Sequence, residues 1–289
     1  MSQIKPYLQL TRPANLVTAI ADILAGMAIA QFTFSDYDWL LLIMATLGLY
    51  GGGVVMNDVF DAKLDAIERP ERPIPSGKIP VKAAGVFGIS LLFAGILSAT
   101  LYSFESGVIA IVVALLTVIY NRFAKHHQIL GPLVMGMCRG GNLILGMSIL
   151  PESIHQWGWV SLLPIAYIAA ITLISQDEVH GGKKKSLYIA ANLYLIVIFA
   201  QLSIAHLMGN VLLVVPFIAF HAWFIGKPLL AAIENPIGPM IGKAVKAGVI
   251  AVIIMNASWC VAFGFWTVGI LVLALLPLSI RLGKMFAVT

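Results

Sequence analysis

The sequence predicts an all-α, polytopic membrane bundle of about ten transmembrane helices, forming one domain over residues 1–289. Three observations predict it. Of the 289 residues, 60% are hydrophobic and only 11% charged, where a soluble domain carries roughly 25% charged side chains. Ten apolar runs approach the about 20 residues that cross a hydrocarbon core. The basic side chains gather in every second loop, the pattern of cytoplasmic loops.

Taken in order, the runs fall at 15–31, 39–56, 83–102, 106–120, 130–150, 159–175, 187–208, 211–230, 244–263 and 267–282. The first follows a charged start with Lys5 and Arg12, is long enough to span and leads into further spans. It therefore reads as a retained helix and not a cleaved signal. Lys63, Arg69, Arg72, Lys78 and Lys82 fill the second-to-third loop, and Arg122 and Lys125 the fourth-to-fifth. Lys183, Lys184 and Lys185 fill the sixth-to-seventh, Lys227, Lys243 and Lys246 the eighth-to-ninth, and Arg281 and Lys284 the tail. With Lys5 and Arg12, 17 of the 18 Lys and Arg side chains lie on one side. The remaining one, Arg139, sits inside a span. Both termini and both acidic motifs described below are thus expected in the cytoplasm, with the chain integral to a bacterial inner membrane. The net charge of +5 is dispersed between spans, which sets orientation and excludes a nucleic-acid partner. Cys138 and Cys260 lie inside apolar runs and support neither a disulfide framework nor a thiolate metal site.

The densest charge lies at Asn57-Asp58-Val59-Phe60-Asp61-Ala62-Lys63-Leu64-Asp65, followed by Arg69 and by Arg72-Pro73-Ile74-Pro75-Ser76-Gly77. If the second helix continues through Asp65, steps of about 100° place Asn57, Asp58, Asp61 and Asp65 within roughly a third of its circumference. Carboxylates that close repel unless a cation sits among them, so the cluster reads as a hard-metal site of oxygen ligands. Magnesium is the expected ion, because it binds through a few carboxylates plus substrate phosphates. Arg69, Arg72 and Lys78 then follow as phosphate partners. Pro70, Pro73, Pro75 and Gly77 end the helix and stiffen the return.

A second acidic site, Asp177-Glu178, follows the sixth span and precedes His180-Gly181-Gly182 and the three lysines from Lys183. Its place repeats that of the first cluster four spans later, which suggests two four-helix halves delivering acidic ends to one mouth, with two added helices. The lysines serve either orientation and lipid headgroups or, beside Asp177 and Glu178, a diphosphate.

Inside the spans, an ionisable group costs at least ~2.5 kcal/mol at the bilayer centre and is usually paired or functional. Asp22 shares a helix face with Asn15, and Arg139 precedes Asn142 by one turn. Asp22 and Arg139 lie at similar depth and are expected to pair, either to hold two helices together or to line a cavity floor. His206, His221 and Asn256 read as packing or interhelical hydrogen bonds. Gly51, Gly52 and Gly53 permit either close helix approach or a kink.

The run Asn57-Asp58-x-x-Asp61-x-x-x-Asp65 with Arg72-Pro73-Ile74-Pro75-Ser76-Gly77 resembles the UbiA superfamily of intramembrane prenyltransferases. Arg12-Pro13-x-Asn15, Tyr120 followed by Lys125, and the second acidic site extend the likeness over essentially the whole chain. The resemblance implies a helical bundle around a cavity open laterally to lipid, with an isoprenyl diphosphate bound through magnesium at the cytoplasmic end. It implies that Asn57, Asp61 and Asp65 hold the metal, that Arg72 and Lys125 bind diphosphate oxygens, and that Asn15 shapes the pocket. Asp61, Asp65 and Lys125 would carry the catalysis, with Asp58 and Glu178 as further metal ligands and Tyr120 and Lys183 at the substrate. The family's second Asp-x-x-x-Asp is incomplete, since Ile174 and Gly182 flank Glu178 at four residues. That form is similar to the UbiA-like branch called EboC, found in clusters that handle secondary metabolites.

Two functions are compatible with these residues. One is magnesium-dependent transfer of an isoprenyl group to a lipophilic acceptor, expected to be aromatic, in a pocket dried by apolar walls. The other is binding or transport of a metabolite precursor on the same scaffold, with Asp22 and Arg139 as a gate.

Overall fold

The structure is a computed structural model that describes residues 4–34, 36–176 and 184–286. Helices form because hydrocarbon offers backbone groups no partner, so each span must satisfy its own. α1 (Ile4–Thr11) and α2 (Pro13–Ile29) meet at a 48° bend, and α3 (Leu40–Phe60) is followed after one residue by α4 (Ala62–Glu68). Then come α5 (Val81–Tyr102), α6 (Phe104–Ile119), α7 (Leu130–Met147), α8 (Glu152–Trp157), α9 (Leu162–Ser175), α10 (Lys184–Leu207), α11 (Val211–Glu234), α12 (Gly238–Ala262) and α13 (Trp266–Phe286). All ten predicted spans fall on helices.

Among the described residues, eight helices are long and apolar enough to cross a membrane, and the bent pair α1–α2 makes a ninth. The predicted tenth is α7. Its 18 residues include five glycines, Arg139 and Asn142, which lower its hydropathy below that of its neighbours. It can afford them because it is packed on α2, α6 and α9 and not bathed in lipid.

Consecutive long helices pack side by side, and the chain closes because α13 and α12 return to α2. α2 and α7 contribute to two separate apolar cores, one shared with α3, α5 and α6, the other with α9 to α13. The first core gathers the four helices of the predicted first half together with α7, and α12, buried along most of its length, gathers the later helices around itself. The two seam helices touch backbone to backbone. A Cβ on Gly26 would lie 2.4 Å from the Leu143 carbonyl oxygen, and one on Gly146 only 2.5 Å from that of Ile23. The glycine run 51–53 resolves as close approach, since α3 passes through it unbroken and a Cβ on Gly52 would lie 2.8 Å from Gly88 O of α5.

Candidate active site

α2 starts where Arg12 adopts a left-handed backbone (φ 48°) before Pro13, the residue best suited to open a helix. A non-glycine residue there costs of order 1–3 kcal/mol and persists only when its surroundings hold it. The holding contact is on α3: Arg12 Nη2 lies 2.7 Å from Asp58 Oδ1. Arg72, in the turn after α4, reaches Asp65 Oδ2 at 2.8 Å and Asp58 Oδ1 at 3.4 Å. Ile74 and Ile79 fasten that turn by packing with Leu10, Val55 and Ala84.

The first acidic cluster therefore divides. Its helix is interrupted at Asp61, although Asp65 N still donates to Asp61 O at 2.8 Å. Asp58 and Asp65 are buried in ion pairs that hold Arg12 and Arg72, and do not line the cavity; Asn57 and Asp61 do. The expectation of four oxygens at a single point is corrected in this respect. The two arginines engage Asp58 and Asp65 behind the rim, while Asn57 and Asp61 line it. Among the described residues, no three His, Cys, Asp or Glu side chains converge as metal ligands.

Facing Asn57 and Asp61 is a π-helical turn, Tyr120–Ala124, in which Lys125 N donates to Tyr120 O at 2.9 Å. Such bulges re-aim side chains and recur at functional sites. Here it brings Tyr120, Asn121 and Lys125 to the same opening. Lys125 Nζ donates to the Asp61 carboxylate and lies 3.2 Å from Asn57 Oδ1. Asn121 was not anticipated from the sequence. It is buried, accepts from Asn57 Nδ2 at 2.8 Å and donates to Gly53 O at 3.2 Å, which turns the Asn57 amide oxygen toward Lys125. Its position next to Tyr120 and four residues before Lys125 was the available signal.

These groups rim a cavity of about 370 Å³. Arg12, Asn15, Arg69, Arg72 and Tyr120 share the mouth; Ile168, Ile171, Val245, Val249 and Val252 of α9 and α12 wall the interior. Tyr50, Cys138 and Arg139 lie at the inner end, which continues into a pocket of about 80 Å³ reaching Asn142. Arg139 is nine residues into α7, roughly 14 Å along its axis.

At that depth the predicted pair exists. Arg139 Nε lies 2.6 Å from Asp22 Oδ2, and both side chains are buried. Asp22 also accepts from Asn142 Nδ2 at 3.0 Å and from Asn256 Nδ2 at 2.6 Å. Thr46 of α3 completes the set by donating to Asn142 Oδ1 at 2.7 Å. Asn256 thus makes the interhelical bond expected of it. Asp177, Glu178, His180 and Lys183 lie outside the described residues.

An all-helical, multi-pass membrane protein with a basic and oxygen-rich mouth over an apolar cavity is the class defined by this fold and site. Residues 19–234 match the UbiA prenyltransferase family, and the chain belongs to that family. By class it is an intramembrane transferase of prenyl groups. It is 31% identical over 204 residues to the digeranylgeranylglyceryl phosphate synthase of Methanothrix thermoacetophila, covering 66% of this chain and 76% of that one. Its fold is similar to that of an apo UbiA homolog from Aeropyrum pernix K1, with a TM-score of 0.71 at 16% identity, covering 84% of this chain and 96% of the other. It is also similar to a UbiA homolog from Archaeoglobus fulgidus bound to GPP and Mg2+, with a TM-score of 0.63 at 13% identity, covering 86% and 99%.

Proposed function

We propose that this protein transfers an isoprenyl group from its diphosphate to a lipophilic, electron-rich acceptor in a magnesium-dependent reaction. The observation that carries the reading is Lys125 Nζ held between Asn57 Oδ1 and the Asp61 carboxylate at the mouth of an apolar cavity. A cation is already accommodated between two hard oxygens. Magnesium favours such donors and completes its shell with water and phosphate oxygens. The mouth is lined by four positive side chains (Arg12, Arg69, Arg72, Lys125) and one negative (Asp61), and Asp58 and Asp65 pair with two of the arginines from behind it, which leaves one net positive charge in all. One net positive charge does not balance a diphosphate, so a divalent ion fits the site. Asn57 and Asp61 would hold it, and when bound it would supply charge neutralisation for the departing diphosphate.

The chain's own residues do the rest. Lys125 and Arg69 contact diphosphate oxygens and stabilise the charge that develops on them as the allylic C–O bond breaks. Arg12 and Arg72 are pre-positioned by Asp58 and Asp65, so little reorganisation accompanies binding. Tyr120 and Tyr50 line the cavity, where an aromatic ring stabilises the allylic cation. Ile168, Ile171 and Val249 keep water from it until the acceptor attacks. The acceptor is proposed to be aromatic. The mouth is proposed to face the cytoplasm, since it collects the basic residues of that side. The setting proposed is a bacterial inner membrane, although the relatives compared are archaeal.

The test is incubation of the purified protein with magnesium and labelled geranyl diphosphate, with and without a phenolic acceptor. The expected result is acceptor-dependent pyrophosphate release that stops on chelation. Magnesium-dependent binding without release under any acceptor would overturn transfer.

A further inference from the structure

The inner end of the cavity contains a hydrogen-bond donor that the prenyl donor cannot use. Arg139 is 94% buried by its side chain's 6% exposure, and its Nη2 has no hydrogen-bond partner among the described residues. One face of the guanidinium lies over the Tyr50 ring at 5.4 Å, and Nε is at ion-pair distance from Asp22. Asp22 in turn accepts from Asn142 and Asn256. The guanidinium is therefore fixed on two sides in the wall of a cavity lined there by Thr117, Met135, Cys138 and Ile168. Thr117, whose hydroxyl donates to Val113 O at 2.9 Å, makes no hydrogen bond to it.

A buried donor without a partner costs about 1–3 kcal/mol, and it becomes a source of specificity when a ligand brings the missing acceptor. An isoprenyl diphosphate carries oxygen only at its diphosphate end, roughly 14 Å away at the mouth. Its hydrocarbon chain has nothing to offer Arg139. The oxygen must come from the second substrate. We infer that Arg139, held by Asp22, recognises a neutral oxygen acceptor on that substrate: a carbonyl, ether or hydroxyl group on a lipophilic molecule. Neutrality follows from charge. Arg139 and Asp22 already balance, so an anionic group would leave an uncompensated charge in the hydrocarbon layer. Arg139 is thus a specificity-determining residue for the acceptor, and this inference rests on the transfer reading for the substrate's role.

The experiment measures equilibrium binding of three probes to the full chain in detergent: 2-acetylnaphthalene, 2-ethylnaphthalene and 2-naphthoate. The first two have nearly the same shape and differ by a carbonyl oxygen. The ketone is expected to bind about tenfold tighter than the ethyl compound, and tighter than the carboxylate. In an Asp22→Asn, Arg139→Met double variant, neutral but lacking the donor, the ketone preference should fall to within about threefold. If that variant does not fold, Arg139→Lys keeps the ion pair without the guanidinium's second arm and should show the same loss. Equal binding of ketone and ethyl compound to the unmodified protein overturns the inference, as does a preference that survives in the variant. Geranyl diphosphate with magnesium is measured on the same preparation and tests the transfer reading alone. Failure there with an intact ketone preference removes that reading and leaves the Arg139 site standing.

Discussion

Arg12 and Asp58 are 46 positions apart in the chain and 2.7 Å apart in the fold. The contact holds a left-handed backbone at the α1–α2 bend and engages a carboxylate of the acidic motif in an ion pair behind the cavity's rim. Members of one short motif consequently have two different tasks, which substitution can separate.

Asp61→Asn should remove most of the magnesium dependence of diphosphate binding, because a charged ligand is lost from a site with few strong donors. Asp58→Asn and Asp65→Asn should keep that dependence. They should instead lower affinity by on the order of 10-fold and stability by about 1–3 kcal/mol, since Arg12 and Arg72 lose their partners. Calorimetric titration of geranyl diphosphate over a range of magnesium concentrations separates the two patterns. Three identical profiles would mean that the cluster acts as one ligand set.

Asn121→Ala should act through Asn57. Without its partner the Asn57 amide is free to turn, and outer-shell losses of this kind typically cost 10–100-fold in metal affinity. Manganese binding followed by electron paramagnetic resonance gives the readout, with Asn121→Asp as the control that keeps an acceptor for Asn57 Nδ2. An unchanged manganese affinity in the alanine variant would leave Asn121 with a packing role only.

The pair inside the membrane should show strong coupling. Breaking a buried ion pair on one side typically costs about 3–5 kcal/mol, because the partner is left unpaired. Asp22→Asn and Arg139→Gln should each lower the midpoint of thermal unfolding in detergent, and the double variant should recover much of the loss. Additive losses would show that the two charges do not depend on each other.

The seam between α2 and α7 has no room for a Cβ at Gly26 or Gly146. Gly146→Ala should cost about 1–3 kcal/mol, since the atoms it meets are backbone of α2 and not a side chain that can move aside. The loss is read by thermal unfolding, and Gly85→Ala, with open space around it, serves as the matched control.

The helices were legible because a hydrocarbon solvent leaves few alternatives to a long apolar helix. Asp22 and Arg139 were legible for the same reason: a charge there is too costly to be unpaired. The mouth was legible only as a set of residues. That Asp58 and Asp65 face Arg12 and Arg72, while Asp61 faces Lys125, depends on a one-residue helix break and on a turn packed by Ile74 and Ile79. Neither leaves a mark in hydropathy. The π-helical turn at Tyr120–Ala124 is equally silent, because with Asn121 and Arg122 it reads as the polar start of a loop.

The hydrogen bonds of Asp22 also set an order of events during synthesis. Asn142 follows it by 120 residues and Asn256 by 234. At about 5–20 residues per second, the last of these emerges on the order of 10 to 50 s after Asp22. For about the first half of that interval the first long helix carries a carboxyl group none of whose permanent partners yet exists, and until its end the set is incomplete. Lipid cannot host it meanwhile, so the nascent helix must wait against the insertion machinery or near the headgroups. Its final seating is then a late step, completed only when α12 arrives.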